Sequence, residues 1–293
     1  MNTLKWIVNP YAGGGRGKRL IKTLKTQNLP TLRTTLSHFN KQVAAFVKKG
    51  DTLIIAGGDG TFHLVINTLI SCQLIQSVTL ATYPLGTGND LARSLNMPKG
   101  LSPSDFMHTL ENTHLTELPL FEINGFCFTN YLSIGFDATV NHAVEHFRQK
   151  IKINNRVLTY LLYLVIACRY LTYKIPPSIN IQLDDRPLSI DCAYAIIFSN
   201  IPSYAGGARL LKNTKDTPSD HLKVFVLTSP FEYLKLMLSR FKYFKFKDSY
   251  KLCKNATLTM PATPVQLDGE NKTFSNSQIK AINTLKIHHR KHQ

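Results

Sequence analysis

An acidic residue, Asp59, lies inside a glycine turn, the segment GGDGT at residues 57–61. Glycine permits positive φ angles and lets backbone N–H groups approach a ligand closely. Helical spacing follows the turn, and Thr61 is a good cap for a helix whose N-terminus favours phosphate. A carboxylate beside phosphate needs a cation between them, and Mg²⁺ prefers carboxylate, water and phosphate oxygens. The turn therefore indicates phosphoryl transfer with Mg²⁺ at Asp59. A tight turn with a capping Asp is the alternative for this loop alone.

Two further glycine-rich turns flank the first. The segment NPYAGGGRGKR occupies residues 9–19, and the segment LGTGNDLAR occupies residues 85–93. Both contain polar side chains that can bind a ligand, namely Asn9, Thr87, Asn89 and Asp90. None of the three turns matches GxxxxGK[ST] or GxGxxG, which disfavours a P-loop and a Rossmann dinucleotide fold.

The first third of the chain alternates between strand-like and helix-like segments. The strand-like runs lie at residues 4–8, 31–35, 52–56 and 78–85, and helical spacing follows each of them. This alternation predicts βαβ units and a parallel sheet covered on both faces. Ligands bind at the C-terminal ends of the strands in such sheets. We therefore expect the three glycine turns side by side along one sheet edge.

After about residue 118 the pattern changes to short strands, which predicts a mostly antiparallel second domain. Two long helical patterns interrupt the strands, at 137–174 and 231–246. The C-terminal tail alternates and then becomes basic, and we expect it to return to the first domain. The predicted domains are 1–118 plus 277–293, and 119–276.

Composition limits the classes of function. The chain has 293 residues, 43% of them hydrophobic, and a formal net charge of +17, which favours an anionic partner such as nucleic acid, a phosphate-rich ligand or an acidic membrane. We find no helix-turn-helix, zinc-finger or RNP pattern, so nucleic acid is not the expected partner. The five cysteines form no CxxC pair, which favours a reduced, cytosolic setting.

Targeting and membrane-spanning segments are not expected. The N-terminus has no signal-peptide pattern. The longest apolar stretch, residues 157–171, is shorter than the roughly 20 residues of a span, and Arg169 interrupts it. We therefore interpret this stretch as a buried helix.

The three turns together closely resemble motifs of the diacylglycerol kinase catalytic-domain family, and within it the soluble bacterial lipid kinases. GGDGT alone is also similar to turns of NAD kinases and phosphofructokinases, and LGTGNDLAR is the motif that favours lipid kinases. Later segments resemble further family motifs in the expected order: NYLSIGFDATV at 130–140, YAGGARLLKN at 204–213 and VQLDGE at 265–270. The resemblance covers nearly the whole chain.

The resemblance implies an N-terminal α/β domain with a parallel sheet, a C-terminal antiparallel β-sandwich, and an ATP cleft between them. It implies that Asp59 organises Mg²⁺ and that Glu270 of the DGE motif is the catalytic base, with Asp268 orienting the site or binding a cation. Taken alone, DGE is more typical of a hairpin turn. The nucleotide-binding residues that the resemblance implies are Asn9, Pro10, Tyr11, Ala12, Gly13, Thr35, Gly57, Gly58, Asp59, Gly60, Thr61, Gly86, Thr87, Asn89 and Asp90.

Three features depart from the family pattern. His63 and Leu64 replace the Asn and Glu of the frequent GGDGTLNEV, and we interpret His63 as a helix-surface histidine. The segment YAGGA at 204–208 replaces a more glycine-rich turn. Some bacterial relatives hold a structural Mg²⁺ at an Asp-Gly turn that is absent here. Asp220 is the nearest match to its ligand, and Ser219 is the alternative.

A basic, aromatic segment at 231–255 fits either contact with anionic lipid or packing on its own domain. The sequence therefore predicts an ATP- and Mg²⁺-dependent kinase that phosphorylates a lipid hydroxyl, with diacylglycerol as the leading acceptor. We expect it in the cytoplasm, peripherally associated with an anionic membrane surface at the inner face of the cell membrane. An exposed edge strand could build a homodimer. The alternatives are an NAD-kinase-like enzyme with a soluble acceptor, and a non-catalytic basic protein that binds membrane or nucleic acid.

Overall fold

A computed structural model describes residues 3–151, 156–211, 220–241, 246 and 249–290. The first part contains strands β1 to β4 and helices α1 to α5: β1 (Leu4–Val8), α1 (Arg16–Thr26), β2 (Thr31–Arg33), α2 (Phe39–Phe46), β3 (Thr52–Gly57), α3 (Asp59–Ser71), β4 (Thr79–Pro84), α4 (Asp90–Ser94) and α5 (Pro103–Glu111).

The rest of the chain is mainly strands, with helices α6 to α8: β5 (Thr113–Ile123), β6 (Phe126–Phe128), β7 (Tyr131–Gly135), α6 (Phe136–Ile151), α7 (Arg156–Arg169), β8 (Asn180–Leu183), β9 (Arg186–Leu188), β10 (Ala195–Ser199), β11 (Ser203–Tyr204), β12 (Ala208–Arg209), β13 (Leu222–Leu227), α8 (Pro230–Leu238), β14 (Lys251–Cys253), β15 (Asn255–Thr259), β16 (Thr263–Leu267), β17 (Glu270–Phe274) and β18 (Ser277–Arg290).

The predicted parallel sheet is confirmed. Strands β2, β1, β3 and β4 lie in that order and pair in parallel. Every residue of β3 is buried, as expected for a parallel strand covered on both faces. Trp6 and Phe106 are fully buried in the core between this sheet and its helices. The carboxyl ends of β1, β3 and β4 lead directly into the three glycine turns.

The C-terminal strand β18 continues this sheet. Ile287 pairs in parallel with Leu80 of β4, and β18 runs antiparallel to β5 along most of its length. Strands β15, β8 and β9 then extend the same sheet with antiparallel pairing. One sheet therefore runs through both parts of the chain.

A second sheet packs against the antiparallel half of the first. Its strands lie in the order β14, β13, β10, β7, β16, β17, and the pairs are antiparallel. Phe198, Leu258, Val265 and Ile279 are among the buried residues of the core between the two sheets. The predicted antiparallel β-sandwich is therefore confirmed.

Some element bounds differ from the sequence prediction. Within 137–174 the structure describes two helices, α6 and α7, and residues 152–155 between them lie outside the described part. The expectation of a buried helix at 157–171 is wrong, since Leu161, Leu164 and Val165 are 50%, 47% and 68% exposed. The pattern at 231–246 is helical only to Leu238, and the hydroxyl of the next residue, Ser239, bonds the backbone of Arg209 in β12. Residues 242–245 of that pattern lie outside the described part. Within the described ranges, no helix is both long and apolar enough to cross a membrane.

Candidate active site

The three glycine turns lie in contact at the carboxyl edge of the parallel sheet. A Cβ on Gly13, whose φ is +64°, would lie 2.5 Å from the carbonyl oxygen of Leu85. A Cβ on Gly86 would lie 2.5 Å from the Cα of Gly58. Real Cβ atoms do not approach backbone this closely, so glycine at these positions permits the turns to pack together.

Side chains hold the turns in this arrangement. Asn9 Nδ2 donates to Thr61 Oγ1 at 3.0 Å, and Asn9 Oδ1 accepts from the Tyr11 backbone at 3.0 Å. The guanidinium of Arg16 donates to the carbonyl of Leu85 at 2.8 Å. The bond between Asn9 and Thr61, both expected at the nucleotide, therefore joins the first turn to the second, and the bond from Tyr11 stabilises the first turn itself.

A cleft of about 470 Å³ opens beside the second and third turns. The first part of the chain contributes Gly58, Asp59, Gly60, Thr87, Gly88 and Asp90 to its lining. The second part contributes Tyr131, Ala205, Gly206, Arg240, Asp268, Gly269 and Glu270. Several residues expected at the nucleotide lie outside this lining in the described structure: residues 9–13, Thr35, Gly57, Thr61, Gly86 and Asn89. Thr35 is an exposed residue beyond the end of β2.

Asp59, the first residue of α3, is surrounded by donors. Its Oδ2 accepts from the Asp90 backbone at 3.0 Å, and its Oδ1 accepts from the Leu91 backbone and from Asn130 Nδ2, each at 3.1 Å. Burial, followed by the neighbouring Asp90 carboxylate, raises the pKa of Asp59. A cation in the cleft would favour the ionised form of Asp59.

Asp90 joins the two parts of the chain. It is 2% exposed, and its Oδ1 accepts from Arg93 at 2.6 Å and from the Ser203 hydroxyl at 2.7 Å. Its Oδ2 accepts from the Gly206 backbone at 2.7 Å. Both carboxylate oxygens therefore already have protein donors, which tie α4 to β11 and to the turn that follows it.

The DGE motif forms the tight hairpin between β16 and β17, with positive φ at Asp268 and Gly269. Asp268 is buried, and its carboxylate accepts from the backbone of Thr129, Asn130 and Tyr131 at 2.8–3.0 Å. Asp268 therefore orients two loops of the second part.

Glu270, the first residue of β17, is exposed in the cleft. Its Oε1 lies 2.8 Å from the position of a Cβ on Gly60. The carboxylate of Glu270 therefore rests on the first turn of α3, one residue from Asp59.

The interpretation of His63 as a surface residue is wrong. His63 is 8% exposed, and its Nδ1 lies 3.2 Å from Asp268 Oδ2. The hairpin of the DGE motif covers this side of α3, although 205 residues separate the two side chains in the chain. Spacing within the helix gives no signal for that contact.

Sequence reasoning also missed three residues at the site. Asn130 contacts Asp59, Ser203 contacts Asp90, and Arg240 lines the cleft. Asn130 lies at the start of a segment that resembles a family motif, so a signal existed for it. Ser203 directly precedes another such segment, YAGGARLLKN at 204–213, and Arg240 lies in the basic, aromatic segment at 231–255. Neither signal identified these side chains individually.

Asp220 lies apart from the cleft and pairs with Lys254 at 2.8 Å and with His221 at 2.5 Å. The hydrogen bond from Lys254 is the main cause that lowers the pKa of Asp220. A divalent cation there would have to displace these basic groups, and the alternative ligand, Ser219, lies outside the described residues. Across the described part of the chain, no group of three or more His, Cys, Asp or Glu side chains could hold a metal ion.

Comparison with known proteins agrees with this architecture. A family model described as "Diacylglycerol kinase catalytic domain" matches residues 3–123, and one described as "Diacylglycerol kinase accessory domain" matches residues 127–271. A crystal structure of a diacylglycerol kinase from Bacillus anthracis str. Sterne is 21% identical, with a TM-score of 0.68, and the match covers 99% of this chain and 97% of that chain. This similarity shows a shared fold.

Curated relatives match over nearly the whole of this chain. Human diacylglycerol kinase zeta is 25% identical over 324 aligned residues, which cover 96% of this chain and 34% of that protein. Diacylglycerol kinase 1 of Arabidopsis thaliana is 26% identical, with 90% of this chain and 41% of that protein covered. The chain thus spans about a third to two fifths of the length of these relatives. With the catalytic and accessory domain models matching consecutive segments, the chain belongs to the diacylglycerol kinase family.

Proposed function

We propose that this protein is an ATP- and Mg²⁺-dependent lipid kinase that transfers the γ-phosphoryl group to the hydroxyl of diacylglycerol, with phosphatidic acid as the product. One observation carries the proposal: a single cleft contains the second and third glycine turns, the Asp59 carboxylate and the exposed Glu270 carboxylate. These groups suit phosphate binding, charge neutralisation and proton removal, which phosphoryl transfer requires.

The glycine turns supply the phosphate site. Gly58 precedes α3, and Asp59 and Gly60 begin it, so this loop presents the helix N-terminus to the cleft. Backbone N–H groups in the first turn of a helix lack intrahelical partners and favour anions. Asn89 donates to the Gly86 carbonyl at 2.6 Å, but its buried Oδ1 has no partner in the described structure. Asn89 is 2% exposed and lies outside the cleft lining, so in this proposal it holds the third turn in place behind the phosphates.

The acidic side of the cleft fits Mg²⁺. The carboxylates of Asp59, Asp90, Asp268 and Glu270 all line one cleft, and the repulsion from Asp90 contributes to the raised pKa of Asp59. Mg²⁺ usually binds through one or two carboxylates, several waters and substrate phosphates, so a protein cage is not required. When bound, it supplies neutralisation of the phosphate charge.

Glu270 is the base in this proposal. Its carboxylate is exposed to the cleft and lies against the phosphate-binding end of α3. It would accept the proton of the acceptor hydroxyl as the oxygen attacks the γ-phosphorus, while the bond from that phosphorus to the β,γ-bridging oxygen breaks and ADP leaves. Asp268 orients the hairpin, because its oxygens already accept several protein donors.

We further propose that the protein meets its acceptor at an anionic membrane surface. On α8 and just beyond it, Phe231, Leu234 and Phe241 are 62%, 52% and 55% exposed, whereas Leu236 faces the core. Lys235 lies over the Phe231 ring at 4.5 Å. An outward apolar stripe with a neighbouring cation suits a lipid surface, and the net charge of +17 favours an anionic one.

Transfer of labelled phosphate from ATP with Mg²⁺ into mixed micelles containing diacylglycerol tests the reaction. NAD and a sphingoid base serve as parallel acceptors. We expect labelled phosphatidic acid from the wild type, loss of label in Asp59→Ala and Glu270→Ala, and retention in Glu117→Ala, which removes an exposed glutamate of β5. Label only in NAD would favour the NAD-kinase-like alternative. A folded, ATP-binding protein that labels none of these acceptors would overturn the proposal.

Sedimentation with lipid vesicles tests the membrane surface. We expect binding to vesicles with anionic lipid, weaker binding to neutral vesicles, and loss of binding in Phe231→Ser with Leu234→Ser. Leu115→Ser removes an equally exposed leucine of β5 and is the matched control. Equal binding of all variants would contradict the assignment.

A further inference from the structure

Helix α3 presents one face to the second part of the chain. Asp59, His63 and Asn67 follow one another at intervals of four residues, so they lie on the same side of the helix. Each contacts a residue from the second part: Asp59 accepts from Asn130, His63 bonds Asp268, and Asn67 bonds the backbone of residue 127. We call these three residues the docking face of α3.

Asn67 bonds strand β6 through both ends of its amide. Its Nδ2 donates to the Cys127 carbonyl at 2.9 Å, and its Oδ1 accepts from the Cys127 N–H at 3.0 Å. These two bonds fix the position of β6 along the axis of α3. Residues 129–131, which donate to Asp268, follow β6 directly.

His63 bonds the Asp268 carboxylate, to which the backbone of residues 129–131 also donates. A carboxylate only accepts, so Nδ1 of His63 is the donor to Asp268 Oδ2. The carboxylate of Asp268 therefore connects α3, the loop at 129–131 and its own hairpin. Glu270 lies two residues further along that hairpin, where positive φ at Asp268 and Gly269 restricts the backbone.

We propose that His63 and Asn67 are positioning residues that set the distance between Glu270 and the phosphate-binding turn. This inference rests on the proposed function. Because α3 begins at Asp59 and also bonds the hairpin of Glu270, one rigid helix locates both the phosphates and the base. The distance between them then depends on local contacts to α3.

Steady-state kinetics of His63 variants test this role. In His63→Leu, which removes the donor, we expect kcat to fall about ten- to a hundredfold, because base misplacement of about 1 Å costs roughly this much. The KM for ATP should stay within about twofold, since the turns keep their own contacts. His63→Asn returns a donor at a similar distance from the backbone and should recover most of kcat. Leu64→Ala, an exposed neighbour on α3, is the matched control.

Hydrogen exchange gives a readout that needs no turnover. We expect faster amide exchange in residues 265–274 of His63→Leu and of Asn67→Leu, with exchange in β1 and β3 unchanged. If the wild type transfers no phosphate, the proposed function fails. The exchange measurement still tests whether the docking face of α3 holds residues 265–274 in place.

Three results would overturn the inference. They are an unchanged kcat in His63→Leu, a kcat in His63→Asn as low as in His63→Leu, and unchanged exchange in residues 265–274 of both leucine variants.

Discussion

The contact between Glu270 and Gly60 leads to a prediction about a single methyl group. In Gly60→Ala the new Cβ would lie 2.8 Å from Glu270 Oε1, about 0.6 Å inside ordinary van der Waals contact. The φ angle of Gly60 is not positive, so alanine fits the backbone. Glu270 is exposed and can rotate away. The substitution should therefore displace the carboxylate and leave the fold intact.

The magnitude follows from the size of that displacement. A catalytic group misplaced by about 1 Å can cost ~100-fold in rate, so we expect Gly60→Ala to lower kcat by about ten- to a hundredfold. Where the backbone φ suits both residues, replacing glycine by alanine stabilises a protein by roughly 0.4–1 kcal/mol, because the unfolded chain loses conformational freedom. The variant should therefore be as stable as the wild type or slightly more stable, and its loss of activity cannot come from unfolding.

The assay is phosphate transfer into diacylglycerol micelles, with thermal unfolding measured on the same samples. A double-mutant cycle with Glu270→Ala tests whether the loss of rate in Gly60→Ala acts through the Glu270 carboxylate. Once the carboxylate is absent, Gly60→Ala has nothing to displace and should change the residual rate by less than about twofold.

Two results would refute this reasoning. Full kcat in Gly60→Ala would show that the carboxylate does not need its position beside α3. An equal loss of rate in the Glu270→Ala background would show that the methyl group acts on something else, such as the bound phosphates.

Four further substitutions test the packing and the buried charges of the structure. Gly86→Ala places a Cβ 2.5 Å from backbone of the GGDGT turn and should destabilise the protein by about 1–3 kcal/mol in chemical denaturation, whereas Gly100→Ala meets no atom within 4 Å and should show only the strain of its positive φ, about 1 kcal/mol. Burial raises the pKa of Asp137, so the folded state holds this proton more tightly than the unfolded state. The free energy of unfolding should therefore fall as pH rises above the ordinary carboxyl range through the raised pKa, and Asp137→Asn should reduce that slope in denaturation measured as a function of pH. Ser203→Ala removes a buried donor to Asp90 and should cost about 1–3 kcal/mol in unfolding free energy; an unchanged melting temperature would contradict the bridging role of Asp90.

Local sequence patterns were enough to predict much of the fold. Strand β3 reads as an unbroken apolar run because both of its faces are covered. The glycines of the turns are visible because close backbone approach tolerates no side chain, as at Gly86. The end of α8 was harder to predict, since apolar helical spacing continues beyond Leu238, where the helix ends.

The contacts of two polar residues could not be predicted from their local sequence. Asp90 looks like a ligand-binding acid in the LGTGNDLAR motif, yet its oxygens accept from Ser203 and Gly206. His63 looks like a surface residue of an amphipathic helix, yet it is buried against Asp268. Such assignments depend on which groups from the other part of the chain approach each side chain.

By itself the sequence determined the parallel sheet, the antiparallel second part and the chemical character of the turns, because backbone preferences and burial leave periodic traces in neighbouring residues. Only the tertiary structure decided how the groups of the cleft are arranged. Glu270 meets Gly60, and His63 meets Asp268, across more than 200 residues of chain. No local periodicity encodes such contacts, since they arise when two separately patterned regions pack against each other and their polar groups must find partners.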